Sequence, residues 1–199
     1  MKKVIMHLCI MSLLWPASCL AELFVITKDN VDLLYESRSD KPIPSPILAS
    51  RHSMHFRDAK SKQIKADLLK DFERKLLGIA RDNDVSYTTS GSIDLYDSKK
   101  KGYTLSGSPY HRHVALGQYV LEFTNFDDFK FLDVPESKSR ELASVLESGL
   151  IVDISIRGIL TDIDVLEKND EKAKILKIKI VSISVDHYRG EHIGFASIQ

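Results

Sequence analysis

The chain has 199 residues, 28 Lys and Arg against 28 Asp and Glu, and 43% hydrophobic residues. That length holds one domain or two small ones. The balanced charge argues against a general nucleic-acid binder, which carries a basic excess or stripe.

Met1, Lys2 and Lys3 make a short basic start, and an apolar run follows from Val4 to Trp15, interrupted by His7. Pro16, Ala17 and Ser18 come next, then Cys19, Leu20 and Ala21. This order resembles a bacterial Sec signal peptide with cleavage after Ala21. A retained anchor fits less well, because a membrane span needs roughly 20 apolar residues. A lipid on Cys19 fits less well again, because no leucine stands three residues before it. Cleavage would remove both cysteines, the only tryptophan and two lysines; 199 less 21 leaves 178 residues with a formal charge of −2. The processed chain would then have no disulfide, no thiol nucleophile and no cysteine metal site. No second long apolar run follows, so no membrane span is expected after processing.

Residues 22–57 read as an extended, proline-containing N-terminal segment. A short strand over residues 23–26 and a short helix carrying Val31, Leu34 and Tyr35 are the alternatives within it. Pro42, Pro44 and Pro46 alternate, which fixes φ and withholds donors, so this stretch is expected to be a linker or surface strap. Residues 58–199 read as a single α+β domain. Its first element is a long amphipathic helix over residues 58–82. Ile64, Leu68, Phe72 and Leu76 recur at steps of four, Leu69 and Leu77 widen the stripe, and Asp58 is the expected N-cap. Its lysine-rich faces suit solvent, a membrane surface or an acidic partner.

From Val85 the period changes to two. Strands are expected at residues 87–96 and 103–106 around a lysine-rich turn, at 114–125, and at 129–134. Pro135 opens a short helix over residues 136–147, with Leu142, Val145 and Leu146 on its apolar side, ended by Ser148 and Gly149. In the last fifty residues, Val152, Ile154 and Ile156 alternate with polar residues, and the phase slips near Gly158–Leu160. Leu176, Ile178 and Ile180 alternate likewise, then slip to Val181, Ile183 and Val185. A hairpin centred on residues 167–172 sets Ile163 opposite Leu176 and Ile159 opposite Ile180. A one-residue slip moves apolar side chains to the other face, so matched slips predict a bulge that bends a long hairpin. A last strand is expected at residues 193–198. The fold class is α+β with a curved antiparallel sheet, one long amphipathic helix and one short helix. Its tightest form is a small, partly closed barrel like the oligonucleotide/oligosaccharide-binding fold. That analogy carries no function.

Histidines come in three pairs: His52 and His55, His111 and His113, His187 and His192. Residues two apart on a strand share a face, so His111 and His113 form the candidate metal pair, with His187, His192 or Asp133 as a third ligand. Arg112 between them opposes a cation. Asp162 and Asp164 are one strand step apart and could suit a hard cation or acid–base work, but polar outward positions of a strand explain them better. Ser98 and Lys101 have Ser-x-x-Lys spacing, but in a lysine-rich turn. Phe126 stands in a turn, where an aromatic is hard to bury, and joins His111, His113, His187 and His192 as a candidate binding residue. No cofactor motif is present. The leading expectation is an exported, non-catalytic binding or interaction protein of the bacterial cell envelope, with an envelope protein or cell-wall component as partner and no nucleic acid. The alternatives are a periplasmic metal-assisted hydrolase built on the histidine pair, and a small-ligand or lipid carrier using an apolar cavity inside the curved sheet.

Overall fold

The computed structural model describes residues 23–106, 111–146, 150–168 and 171–197. The expected signal segment, most of the loop at residues 106–109 and the expected helix end at 148–149 lie outside them. The chain begins with β1 (Phe24–Val25), α1 (Val31–Glu36), α2 (Ser45–His52), α3 (Met54–Asp58) and α4 (Lys62–Arg81). Then come β2 (Asp84–Ile93), β3 (Gly102–Ser106), β4 (His113–Leu116), β5 (Tyr119–Phe123), a 3-10 turn (Phe126–Phe129) and β6 (Phe131–Asp133). The last elements are α5 (Glu136–Leu146), β7 (Ile151–Lys168), β8 (Glu171–His187) and β9 (His192–Ser197).

The described strands form one curled, mixed sheet in the order β4-β5-β8-β7-β2-β3-β6, with β1 on β2 and β9 on β8. The α+β class holds. Most pairs are antiparallel, as expected, and two are parallel, β5 with β8 and β1 with β2, which makes the sheet mixed.

The hairpin of β7 and β8 is the spine. Ile163 lies opposite Leu176, as the alternation predicts, while Ile180 lies opposite Gly158 and Ile159 opposite Lys179. The ladder steps from Leu160–Ile178 to Asp162–Lys177, leaving Thr161 extra on β7. It steps from Arg157–Ser182 to Gly158–Ile180, leaving Val181 extra on β8. The Thr161 hydroxyl donates to Lys177 O at 3.0 Å and fills the first bulge. Two bulges a few residues apart, one on each strand, bend the hairpin and sharpen its twist. Gly158 sits at the bend because a Cβ there would lie 2.6 Å from Ile178 Cγ2 and 2.8 Å from Lys179 O. The curl brings β6 toward β9, where a Cβ on Gly194 would meet Leu132 Cδ2 at 2.9 Å.

The concave side of this sheet is the core. Val152, Ile154 and Ile156 from β7 meet Leu176, Ile178, Ile180, Ile183 and Val185 from β8, with Leu121 and Phe123 from β5 and Val85 and Ile93 from β2. Leu142 of α5 and Leu34 of α1 close it. These side chains pack against one another within the curl.

The helices depart most from expectation. The segment 22–57 contains three of them. Pro42 and Pro44 lie in non-helical chain, but Pro46 falls in the first turn of α2, where its missing N–H costs nothing. Asp58 ends α3 and caps nothing; Ser61 caps α4, accepting from Ile64 N at 3.5 Å. No residue of α4 is buried. Leu68, Leu69, Phe72, Leu76 and Ile79 are half-buried, while Ile64 and Leu77 stay 54% and 60% exposed. The apolar stripe predicted from the sequence exists, but it rests mainly on α1, α2 and α3, and only Ile79 at its C-terminal end packs against the core.

Candidate functional site

The three histidine pairs are separated by their neighbours. His111 is exposed, and His113 opens β4 with its Nε2 3.8 Å from Glu122 Oε1. Arg112 Nη2 lies 3.5 Å from that same oxygen, so the arginine and the imidazole share one carboxylate. His187 ends β8 on the core side, fully buried. Its Nδ1 lies 3.3 Å from a Glu191 carboxylate oxygen, its ring centroid is 4.2 Å from that of Tyr188, and its Nε2 has no hydrogen-bond partner. His192 points outward, 2.8 Å from Asp186 Oδ1. The bulge between β8 and β9 puts the two on opposite faces. His52 Nε2 holds Asp32 Oδ2 at 2.8 Å and ties α2 to α1. Among the described residues, no three His, Cys, Asp or Glu side chains gather as a metal site needs.

Phe126 is 8% exposed and packs into the core, with Lys130 Nζ 5.3 Å from its ring centroid. The 3-10 turn lets Phe126 and Phe129 both point inward, which corrects the expectation of an exposed aromatic. Asp162 and Asp164 are bridged by Lys177, whose Nζ lies 3.4 and 3.1 Å away. The lysine bond and the Val165 amide hold the Asp164 carboxyl below its ordinary range. Each aspartate also accepts from the next backbone amide, at 2.9 and 2.8 Å. This pair therefore caps amides of β7, and Lys177 offsets one of its two charges. Ser98 lies in a turn organised by Asp97, whose carboxylate accepts from Lys99 N and Lys100 N at 2.9 and 3.1 Å.

One polar cluster escaped the sequence reading. The Glu36 carboxylate is 1% exposed and ion-paired to Lys174 Nζ on β8. It also accepts from Ile43 N at 2.8 Å. The Lys174 ammonium lies 5.0 Å from the Tyr35 ring centroid and 5.5 Å from that of Tyr119. Burial works against the lysine's charge, but the Glu36 bond and the two tyrosines carry its pKa above the ordinary lysine value. Burial raises both tyrosines. Glu36 and Lys174 are 138 positions apart, and no local pattern links them. With its carboxylate occupied twice and its lysine caged, this cluster fastens α1 and the proline stretch to the sheet. It offers no open site.

The open features lie on the helical side. A groove of about 780 Å³ runs along α4, floored by Leu33, Met54, Leu68, Phe72, Leu76 and Ile79. His52, His55, Asp71, Arg74 and Lys75 edge it. A second hollow of about 670 Å³ adjoins it between α4 and β1, lined by Leu23, Phe24 and Val25 and sharing Lys75 and Ile79. Arg74 is paired with Asp71 at 3.0 Å. Residues 45–81 hold nine Lys and Arg against four Asp and Glu, a net +5 in a chain of formal charge zero, so the rest of the chain carries −5. The stripe Ile64, Leu68, Phe72 was legible in sequence; its incomplete cover was not. Among the described residues no helix is long and apolar enough to cross a membrane.

A comparison of the chain with protein-family models, curated proteins and solved structures finds no match.

Proposed function

We propose that the protein is an exported, non-catalytic binding protein of the bacterial cell envelope that docks a partner on its α2–α4 layer. The observation that carries this reading is the apolar side of α4, half-covered and open along a groove. A 20-residue amphipathic helix with no buried residue is unusual in a protein with a well-packed core. Contiguous exposed apolar surface with a polar rim marks interaction sites. The basic start, short apolar run and Ala21 support export. The hydrolase alternative finds no support in the geometry, since His187 and His192 lie on opposite faces and no three ligating side chains gather among the described residues. A carrier using the sheet interior is favoured less, because the concave face carries a packed cluster of buried apolar side chains.

The test is a photo-crosslinking residue placed at Lys75 and, separately, at Arg140 on the exposed face of α5, in living cells of the native host. An adduct with an envelope component at position 75 but not at 140, on a protein whose N-terminus is Glu22, is the expected result. Unprocessed protein in the cytoplasm overturns export, and equal adducts at both positions overturn the groove.

A further inference from the structure

We propose that the occupant of the α4 groove is an acidic amphipathic helix of a partner protein, held by apolar anchors in the two adjoining hollows and by an acidic side chain against Lys75. This rests on the reading of α4 as the docking face.

The walls of the groove decide the backbone form of the guest. α2, α3 and α4 satisfy their own backbone groups internally, so the groove offers no ladder of free donors and acceptors to an extended peptide. A guest lying there must satisfy its own backbone, which a helix does. The hollows are open along α4, so a single acyl chain would remain partly in water, whereas a helix turns only one face inward and leaves the other solvated. The two hollows share Lys75 and Ile79. A helix with apolar residues at i, i+3, i+4 and i+7 can fill both in succession.

Charge decides the polar face of the guest. At 100° per residue, Lys65 and Lys75 both fall inside the apolar sector of α4, between Ile64 and Leu69 on the helical wheel. Lys65 lies over the Phe56 ring, 5.8 Å from its centroid. Lys75 has no ion-pair partner among the described residues, although it stands at the junction of the two hollows. A lysine laid across apolar surface keeps its ammonium at the rim, where a partner carboxylate can meet it. The layer's net +5 attracts an acidic partner at long range and repels a basic one.

The probes are three designed amphipathic helices with identical leucine anchors and with glutamate, glutamine or lysine at the flanking positions. Binding to the purified protein is read by fluorescence anisotropy at low and at physiological salt. The glutamate helix is expected to bind most tightly and the lysine helix least, with the gap closing as salt rises. Lys75→Glu, at an exposed position, should weaken the glutamate helix about tenfold and strengthen the lysine helix. A misfolded variant cannot produce that gain. Equal binding of all three helices, unmoved by Lys75→Glu, overturns the acidic guest but leaves the docking face standing. No binding by any helix overturns both. Binding to phosphatidylglycerol vesicles that the glutamate helix cannot displace, and that Lys75→Glu abolishes, assigns the face to a membrane instead and overturns the proposal.

Discussion

The sheet and the helical layer of this protein are built to opposite rules. On the sheet, alternation delivers Val152, Ile154 and Ile156 of β7 and Leu176, Ile178 and Ile180 of β8 to the core, and two bulges bend the hairpin around it. On the helical side, α4 repeats its apolar residues just as regularly, yet the described chain covers them only in part, and none is buried. The same sequence signal, regular spacing of leucine and isoleucine, therefore means core in one region and interface in the other. Spacing tells which face is apolar. It does not tell whether the chain supplies the cover.

Substitutions should separate the two regions by size of effect. Ile154 on β7 is fully buried, and Ile154→Ala should cost about 3 kcal/mol in urea unfolding. Phe72→Ala on α4 removes a larger side chain but should cost about 1 kcal/mol or less, because that ring is only half-covered. Equal losses would mean that α4 is part of the core. Gly158→Val tests the bend: its methyls would collide with Ile178 and with Lys179 O, and the expected cost is about 2 kcal/mol with a broadened unfolding transition.

The link between the regions is the Glu36–Lys174 pair. Lys174→Met should cost about 2 kcal/mol, because it leaves the Glu36 carboxylate buried without its cation. Adding Glu36→Leu should recover most of that loss. A double variant as unstable as the single one would show that the carboxylate's bond to Ile43 N matters more than the ion pair.

The same cluster sets a pH dependence. The pKa of Lys174 is raised in the folded protein, so its contribution is complete below the unfolded lysine value of about 10.4 and is lost as pH climbs through the folded value. Tyr35 and Tyr119 are raised too, so the fold favours their neutral forms, and stability falls once pH passes the unfolded tyrosine value of about 10. The smallest of the expected effects is therefore a urea midpoint that the cluster leaves flat from neutral pH to about 9.5 and lowers above it. In Lys174→Met the lysine's share of that drop should vanish, while the tyrosines' share remains.

Particular residues show what was legible. Ile163 opposite Leu176 followed from alternation and hairpin centring alone, because each strand's phase is local. Thr161 as the bulged residue did not follow, since the slip could be placed only to within a few positions. Pro46 misled because proline ends most elements but suits a helix's first turn. Phe126 misled because a 3-10 turn can fold its own aromatics under itself. His187 and His192 looked alike in sequence; a single bulge at Val185–Asp186 sends one inward and the other outward. The parallel pairing of β5 with β8 joins segments about fifty residues apart, and no neighbouring residue signals it.

Hydrogen exchange of the purified protein, alone and with the glutamate helix, tests the contrast most directly. Alone, the β7 and β8 amides around Ile154 and Ile183 should exchange only with global unfolding, while the α4 amides exchange through local opening and orders of magnitude faster. With the helix bound, protection should rise over residues 62–81 and stay unchanged on β7 and β8. If α4 is as protected as the sheet before any partner is added, and gains nothing afterwards, its face is not a docking surface and the account fails.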